Sequence, residues 1–154
     1  MTNFLKKGMG IFGKLVDTLK GNPTGVCFVN SVVMIICADG EADESEFQRL
    51  QEIVQSDQST ASAMMAATES DNVVSLVQAV KIRAQELVGS QASQNYDLLK
   101  LRLLAEIKEK QKGMKPVDKQ VLVAILEKLI MADEKVGMQE QETLKEIKTA
   151  LEVS

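Results

Sequence analysis

The sequence predicts an all-α fold, a single compact bundle of about seven to eight helices. Hydrophobic residues make up 45% of the 154 residues but aromatic residues only 3%, so the core must consist of Leu, Ile, Val, Ala and Met, a composition that favours helices. Apolar residues also recur at intervals of three and four along the chain, and no stretch shows the bounded alternation expected of a strand. A chain of this length is expected to form one domain.

Charge and residue content exclude several classes of function. The net charge of −4 argues against a general nucleic-acid binder, which requires a basic surface. There is no histidine, which removes Ser-His-Asp and Cys-His catalysis and most zinc sites. Cys27 and Cys37 lie about 15 Å apart on one predicted helix and cannot pair, so we expect reduced thiols. With no signal-peptide pattern and no long apolar run, a cytoplasmic protein is expected.

Residues 1–21 form a cationic amphipathic segment that precedes the helical domain expected over residues 22–154. Two interpretations are open. The segment is either a first helix packed on the body of the domain or a peripheral anchor on an anionic membrane surface or a partner protein. The anchor would make contact through its aromatic and basic side chains, which include Phe4, Lys6, Lys7, Phe12 and Lys14.

The first half of the domain is expected to hold four helices after a turn over residues 21–25. The first runs from about Gly25 to Ala38 and should be central, because it is apolar on nearly all sides. The second runs from about Glu44 to Gln55, and a polar turn over 56–60 separates it from a short helix over 61–68. Ser70-Asp71 is expected to cap the fourth, which Gly89 ends.

Three more helices complete the prediction. A leucine-rich helix has a polar start at residues 91–93 and ends in a charged turn over residues 106–112. Pro116 is well placed as the first residue of the next helix, which ends just before Asp133. The last helix is expected from about Met138 to Leu151.

Two acidic helix–loop–helix segments organise this arrangement. The first is Ala38-Asp39-Gly40-Glu41-Ala42-Asp43-Glu44-Ser45-Glu46, and a weaker copy spans residues 132–140. Asp133 follows Asp39 by 94 positions (133 − 39 = 94), and the same offset places Ile36 on Ile130 and Glu46 on Glu140. We therefore expect two pseudo-symmetric acidic hairpins.

The first acidic segment has two possible roles. Asp39, Asp43 and Glu46 are the best-placed oxygen ligands for a hard divalent cation such as Ca²⁺. The segment is not an EF-hand, because Glu44 stands where that loop needs Gly and Leu50 stands where it needs a bidentate Glu. The alternative is structural: Asp43 and Glu46 have the spacing of a capping box that satisfies the first backbone N–H groups of a helix.

The segment Ala38–Glu46, set between an apolar and an amphipathic helix, resembles the signature of the TerB-like family. Ile130-Met131-Ala132-Asp133 and the opening Met1-Thr2-Asn3-Phe4-Leu5-Lys6-Lys7 are also similar to that family. The resemblance implies an all-helical fold with an acidic metal-binding surface. It further implies a membrane-linked tellurite-resistance, stress or phage-defence system in which the proteins act by binding other proteins rather than by catalysis.

Carried onto this sequence, the family motif implies metal-binding positions in both hairpins. The second motif departs from the first at Glu134, Gly137 and Met138. The implied positions are Asp39, Asp43, Glu44 and Glu46 in the first hairpin and Asp133 and Glu140 in the second. We expect a non-enzymatic, cation-binding TerB-like protein, and the rival expectation is a structural interaction module whose acidic loops are only helix caps.

Overall fold

The structure is a computed structural model that describes residues 14–37, 44–89, 96–131 and 138–153. These residues contain eight α-helices and no strand. The predicted all-α fold is confirmed. The helices are α1 (Lys14–Gly21), α2 (Pro23–Cys37), α3 (Glu44–Ser56), α4 (Gln58–Thr68), α5 (Val73–Gly89), α6 (Tyr96–Lys110), α7 (Pro116–Met131) and α8 (Met138–Leu151). A short 3₁₀ turn, Gln111–Gly113, follows α6.

Helix α2 is the central helix, as its sequence predicts. No side chain between residues 24 and 36 is more than 9% exposed, and the helix packs against α4, α5, α6, α7 and α8. Its one buried amide side chain, Asn30, donates hydrogen bonds to the carbonyl oxygen of Leu103 (3.3 Å) and to Oε2 of Glu106 (3.1 Å). Each buried Val, Ile or Phe contributes about 1.5–3 kcal/mol, so α2 supplies much of the apolar stabilisation.

A sharp joint connects α1 to α2, whose axes meet at 98°. Asn22 holds this joint: its Oδ1 accepts a hydrogen bond from the backbone N–H of Gly25 (3.1 Å), and its Nδ2 donates to the carbonyl oxygen of Ala67 (2.8 Å) in the last turn of α4. Because Asn22 caps the helix, α2 begins at Pro23, two residues before the predicted start.

The turn expected over residues 56–60 is shorter than predicted. Oδ1 of Asp57 accepts hydrogen bonds from the backbone N–H groups of Ser59 (2.9 Å) and Thr60 (3.4 Å). An aspartate in this position satisfies N–H groups that have no partner within the helix, so α4 begins at Gln58 rather than at Ala61.

The cap of α5 also differs from the prediction. Asn72, rather than Ser70 or Asp71, accepts a hydrogen bond from the backbone N–H of Ser75 (2.8 Å) through its Oδ1. Asn and Asp are about equally good in this position, so the sequence offered two competing caps one residue apart.

The second half of the chain follows the prediction closely. Pro116 is the first residue of α7, and α8 has the predicted bounds. The buried side chain of Gln111, in the 3₁₀ turn, joins the two helices: it donates to the carboxylate of Glu152, just after α8, and accepts from the ammonium of Lys119 in α7.

Candidate functional site

The two acidic segments connect helices whose ends correspond. Helix α2 ends at Cys37 and α3 begins at Glu44; the offset of 94 places these residues on Met131 and Met138, where α7 ends and α8 begins. Both connecting segments, 38–43 and 132–137, are therefore six residues long. The two hairpins pack on each other, because α2 contacts both α7 and α8 while α3 contacts α7.

The two hairpins do not bury equivalent residues equally. Leu50 in α3 is fully buried, whereas its counterpart Leu144 in α8 is only partly buried; the reverse holds for Ile147 and its counterpart Ile53. The reason is that the two helices have different neighbours. Helix α3 packs against α4, α5 and α7, and α8 packs against α6, α7 and α2. The correspondence between the hairpins thus lies in helix boundaries more than in side-chain packing.

The predicted ligands fall partly within the described residues. Asp39, Asp43 and Asp133 lie outside them, and Glu44 is the first residue of α3. Glu46 and Glu140 are each the third residue of their helix; Glu46 is half-buried, and Glu140 is 6% exposed. Among the described residues no group of three or more Asp, Glu, Cys or His side chains is arranged to hold a metal ion. The acidic residues between the two helices of each hairpin belong to segments 38–43 and 132–137, which lie outside the described part of the chain.

The described part of the N-terminal segment belongs to the body of the domain. Val16 and Leu19 are 3% and 1% exposed and join the core, while Lys14 is exposed at the start of α1. The buried face of α1 thus packs on the domain through Val16 and Leu19. The other predicted contact residues, Phe4, Lys6, Lys7 and Phe12, lie outside the described residues.

No single helix in the described part of the chain is long and apolar enough to cross a membrane. Helices α1 and α2 reach the required length and composition only when taken together across their 98° bend.

Cys27 is a buried thiol with little capacity for chemistry. Burial raises its pKa to about 12, an effect that the positive charges of Lys119 and Lys110 partly offset. Its Sγ lies 3.8 Å from the carbonyl oxygen of Ile107 and donates a weak hydrogen bond to it. Since the thiolate is the reactive species, this cysteine is suited to packing rather than to nucleophilic or redox work.

Helix α6 places two of its leucines on the surface. Leu98 and Leu101 on α6 are 62% and 65% exposed. Beside them runs a groove of about 670 Å³ between α6 and α8, lined by Leu101, Leu104, Ala105, Lys108, Lys145, Glu146, Thr149 and Ala150. A signal for this face was present, because five of the seven residues from 98 to 104 are leucine, more than one side of a helix can bury.

Comparison of the chain with protein-family models, with curated proteins and with solved structures finds no match in any of the three. The resemblance to the TerB-like family thus stays a prediction that rests on residues 38–46, residues 130–133 and the first seven residues.

Proposed function

We propose that the protein is non-enzymatic and binds a divalent cation, Ca²⁺ in the simplest case, through the acidic segment between α2 and α3. In this proposal it is a TerB-like protein of a tellurite-resistance or stress-response system that acts through partner proteins. The observation that carries the proposal is the match of helix ends around the two acidic segments. A short segment between two packed helices can adopt fewer conformations than a free one. It therefore loses less conformational entropy when its carboxylates are ordered around an ion.

The first segment is favoured over the second by its charge. Residues 38–43 carry three carboxylates and no basic residue, whereas residues 132–137 carry two carboxylates and Lys135. Ca²⁺ takes six to eight oxygen ligands, and its affinity rises with the number of charged ones. We therefore assign the stronger site to Asp39, Asp43, Glu44 and Glu46 and a weaker one to Asp133 and Glu140.

Binding is proposed in preference to catalysis because the chain has no histidine, the residue used most often in acid–base catalysis. Cys27 is held in its protonated form by burial.

The N-terminal segment is proposed to carry the protein to its site of action. Val16 and Leu19 fix α1 to the core, and Lys14 is exposed immediately before them. Contact with an anionic membrane surface or a partner protein would then be made by Phe4, Lys6, Lys7, Phe12 and Lys14. Binding of the protein to anionic vesicles, but not to zwitterionic ones, is the measurement that supports the membrane contact; equal binding to both, or to neither, counts against it.

The test of the cation site is calorimetric titration with Ca²⁺ and with Mg²⁺, together with melting curves in each ion. Saturable binding and a raised melting temperature are expected, because a ligand selective for the folded state stabilises it. Asp39→Asn with Asp43→Asn should abolish both effects. The matched control, Asp17→Asn with Glu52→Gln, removes two charges from exposed positions and should preserve both. If cation affinity survives in the first variant, the assigned site is wrong.

The second candidate is a structural protein–protein interaction module whose acidic segments only cap helices. The exposed Leu98 and Leu101 favour it, because large side chains exposed side by side are typical of interaction surfaces. In this case titration gives no heat. The Asp39→Asn, Asp43→Asn variant then melts at about the same temperature as the parent protein, with and without cation, because asparagine caps a helix about as well as aspartate.

A further inference from the structure

The outward face of α6 carries a stripe with the spacing of a helix–helix seam. Leu98, Leu101, Ala105 and Lys108 follow one another at intervals of three, four and three, and all four are exposed. This spacing keeps side chains along one side of a helix, where a second helix can pack. The opposite side of α6, with Leu99, Leu103 and Ile107, is buried in the core, so the stripe points directly away from the protein.

We propose that this stripe is a self-association surface, on which α6 of one copy packs antiparallel against α6 of a second copy. In this orientation Leu101 packs against Ala105 of the partner subunit, and the two-fold axis repeats that contact. Leu98 lies on the methylene stem of Lys108 of the partner subunit, whose ammonium stays in water. The small side chain of Ala105 lets the two helices approach closely at the centre.

Charges beside the stripe are complementary in the same register. Arg102 and Glu109 flank it on one side, and both are exposed. In the antiparallel register that pairs Leu101 with Ala105, Glu109 of the partner subunit lies five residues, about 7.5 Å, along the seam from Arg102. The long arginine side chain can span this separation, and the two-fold axis repeats the pair. Arg102 Nε lies 3.6 Å from Glu106 Oε1 in its own helix, but a guanidinium has five N–H donors and can serve both carboxylates.

The antiparallel orientation is favoured over the parallel one by Lys108. In a parallel pair each seam residue meets its own copy, so Lys108 would face Lys108 of the partner subunit and repel it. The antiparallel pair replaces that contact by an aliphatic one with Leu98.

The expected dimer is weak. The stripe from 98 to 109 is about 16 Å long, and contacts that bury less than about 1,200 Å² are characteristic of transient complexes. A dimer that forms and dissociates with concentration is therefore expected. The inference is independent of the cation-binding proposal, because α6 lies outside both acidic hairpins.

The first test is sedimentation velocity of the full chain between about 5 and 500 µM. Over this range a weak dimer should form as the concentration rises and dissociate as it falls. The weight-average mass should rise from monomer toward dimer. Leu101→Glu should move the midpoint at least about tenfold higher in concentration, because it places a charge at the centre of the seam. The control Val117→Glu changes a side chain 55% exposed on α7 and should leave the midpoint unchanged.

The second test is charge exchange. Arg102→Glu and Glu109→Arg should each weaken association, since each places like charges within reach of each other, and the double exchange should restore it. Far-ultraviolet circular dichroism and melting curves establish that each variant is folded. A mass that stays monomeric across the range overturns the proposal. The proposal is also overturned if Leu101→Glu leaves the association unchanged. The same holds if the double exchange fails to restore the association that each single exchange weakens.

Discussion

Replacing Gly25 by alanine should destabilise the protein, although Gly25 lies in a helix, where alanine is normally the more stable residue. A glycine inside a helix normally costs up to about 1 kcal/mol relative to alanine, so Gly→Ala in α2 would ordinarily stabilise. Here the new Cβ would lie 2.7 Å from the carbonyl oxygen of Leu19 and 2.8 Å from its Cα. Both atoms are backbone, so they can move only if the joint between α1 and α2 opens.

The cost follows from what that opening would disturb. Forcing one extra carbon into a packed region costs about 1–3 kcal/mol. Opening the joint would also draw Val16 and Leu19, now 3% and 1% exposed, out of the core, and each is worth about 1.5–3 kcal/mol when buried. Even a partial loss of that burial offsets the helix-propensity gain of up to about 1 kcal/mol, so we expect Gly25→Ala to lower the free energy of unfolding by about 1–3 kcal/mol.

Urea denaturation followed by far-ultraviolet circular dichroism measures this difference. The control is Gly21→Ala, since a Cβ at Gly21 meets nothing within 4 Å; it should stay within about 0.5 kcal/mol of the parent or stabilise slightly. Shortening Leu19 to alanine should not rescue Gly25→Ala, because the two closest atoms belong to the Leu19 backbone. A Gly25→Ala variant as stable as Gly21→Ala would refute the close approach.

Two further predictions concern ionisable side chains. Hydrogen bonds from the backbone N–H groups of Thr60 and Ser59 lower the pKa of Asp57 below its usual 3.8, so its contribution to stability is present above pH 3.8 and is lost as pH falls through the lower, folded-state pKa. The variant Asp57→Asn keeps the acceptor oxygen but cannot ionise. In urea denaturation, the difference in free energy of unfolding between this variant and the parent should shrink as the pH falls through that window. A difference that does not change with pH would contradict this. Cys27, with a pKa raised to about 12 by burial, should react with an aromatic disulfide reagent in a Cys37→Ser background only as fast as the protein unfolds, and rapid labelling in native buffer would contradict its burial.

The overall helical fold was predictable because its signals are local. Pro116 starts α7 because proline suits the first position of a helix, and the bounds of α8 follow from its apolar spacing. The central place of α2 follows from a sequence that is apolar on all sides. The offset of 94 predicted the matching helix ends of the two hairpins, because it aligns whole helices rather than single side chains.

The features that the sequence did not predict depend on contacts between distant parts of the chain. Asp71 and Asn72 are comparable caps for α5, and Asn72 makes the cap. The early start of α2 depends on Asn22, whose amide also reaches Ala67 in α4, 45 residues away. On α6 the leucines cover two sides, so periodicity cannot tell which side is buried; the positions of α2 and α8 decide this.

In the candidate cation site, too, the helix positions were predictable from the sequence and the burial of the side chains was not. The spacing of the acidic residues placed Glu46 and Glu140 at equivalent helix positions, which the structure confirms. Their different burial was not predictable, because it reflects the different neighbours of α3 and α8.

The central helix has a consequence for synthesis on the ribosome. The side chains of α2 that contact α6 find their partners 73 to 80 residues later in the chain. At about 5–20 residues per second, α2 waits roughly 4 to 16 s for α6, the helix that covers it most extensively. During that interval its apolar surface must be shielded by α4 and α5, which also pack on it and emerge sooner, or by a chaperone. The rate of translation between α2 and α6 thus becomes a determinant of how much of the newly made chain reaches the folded state.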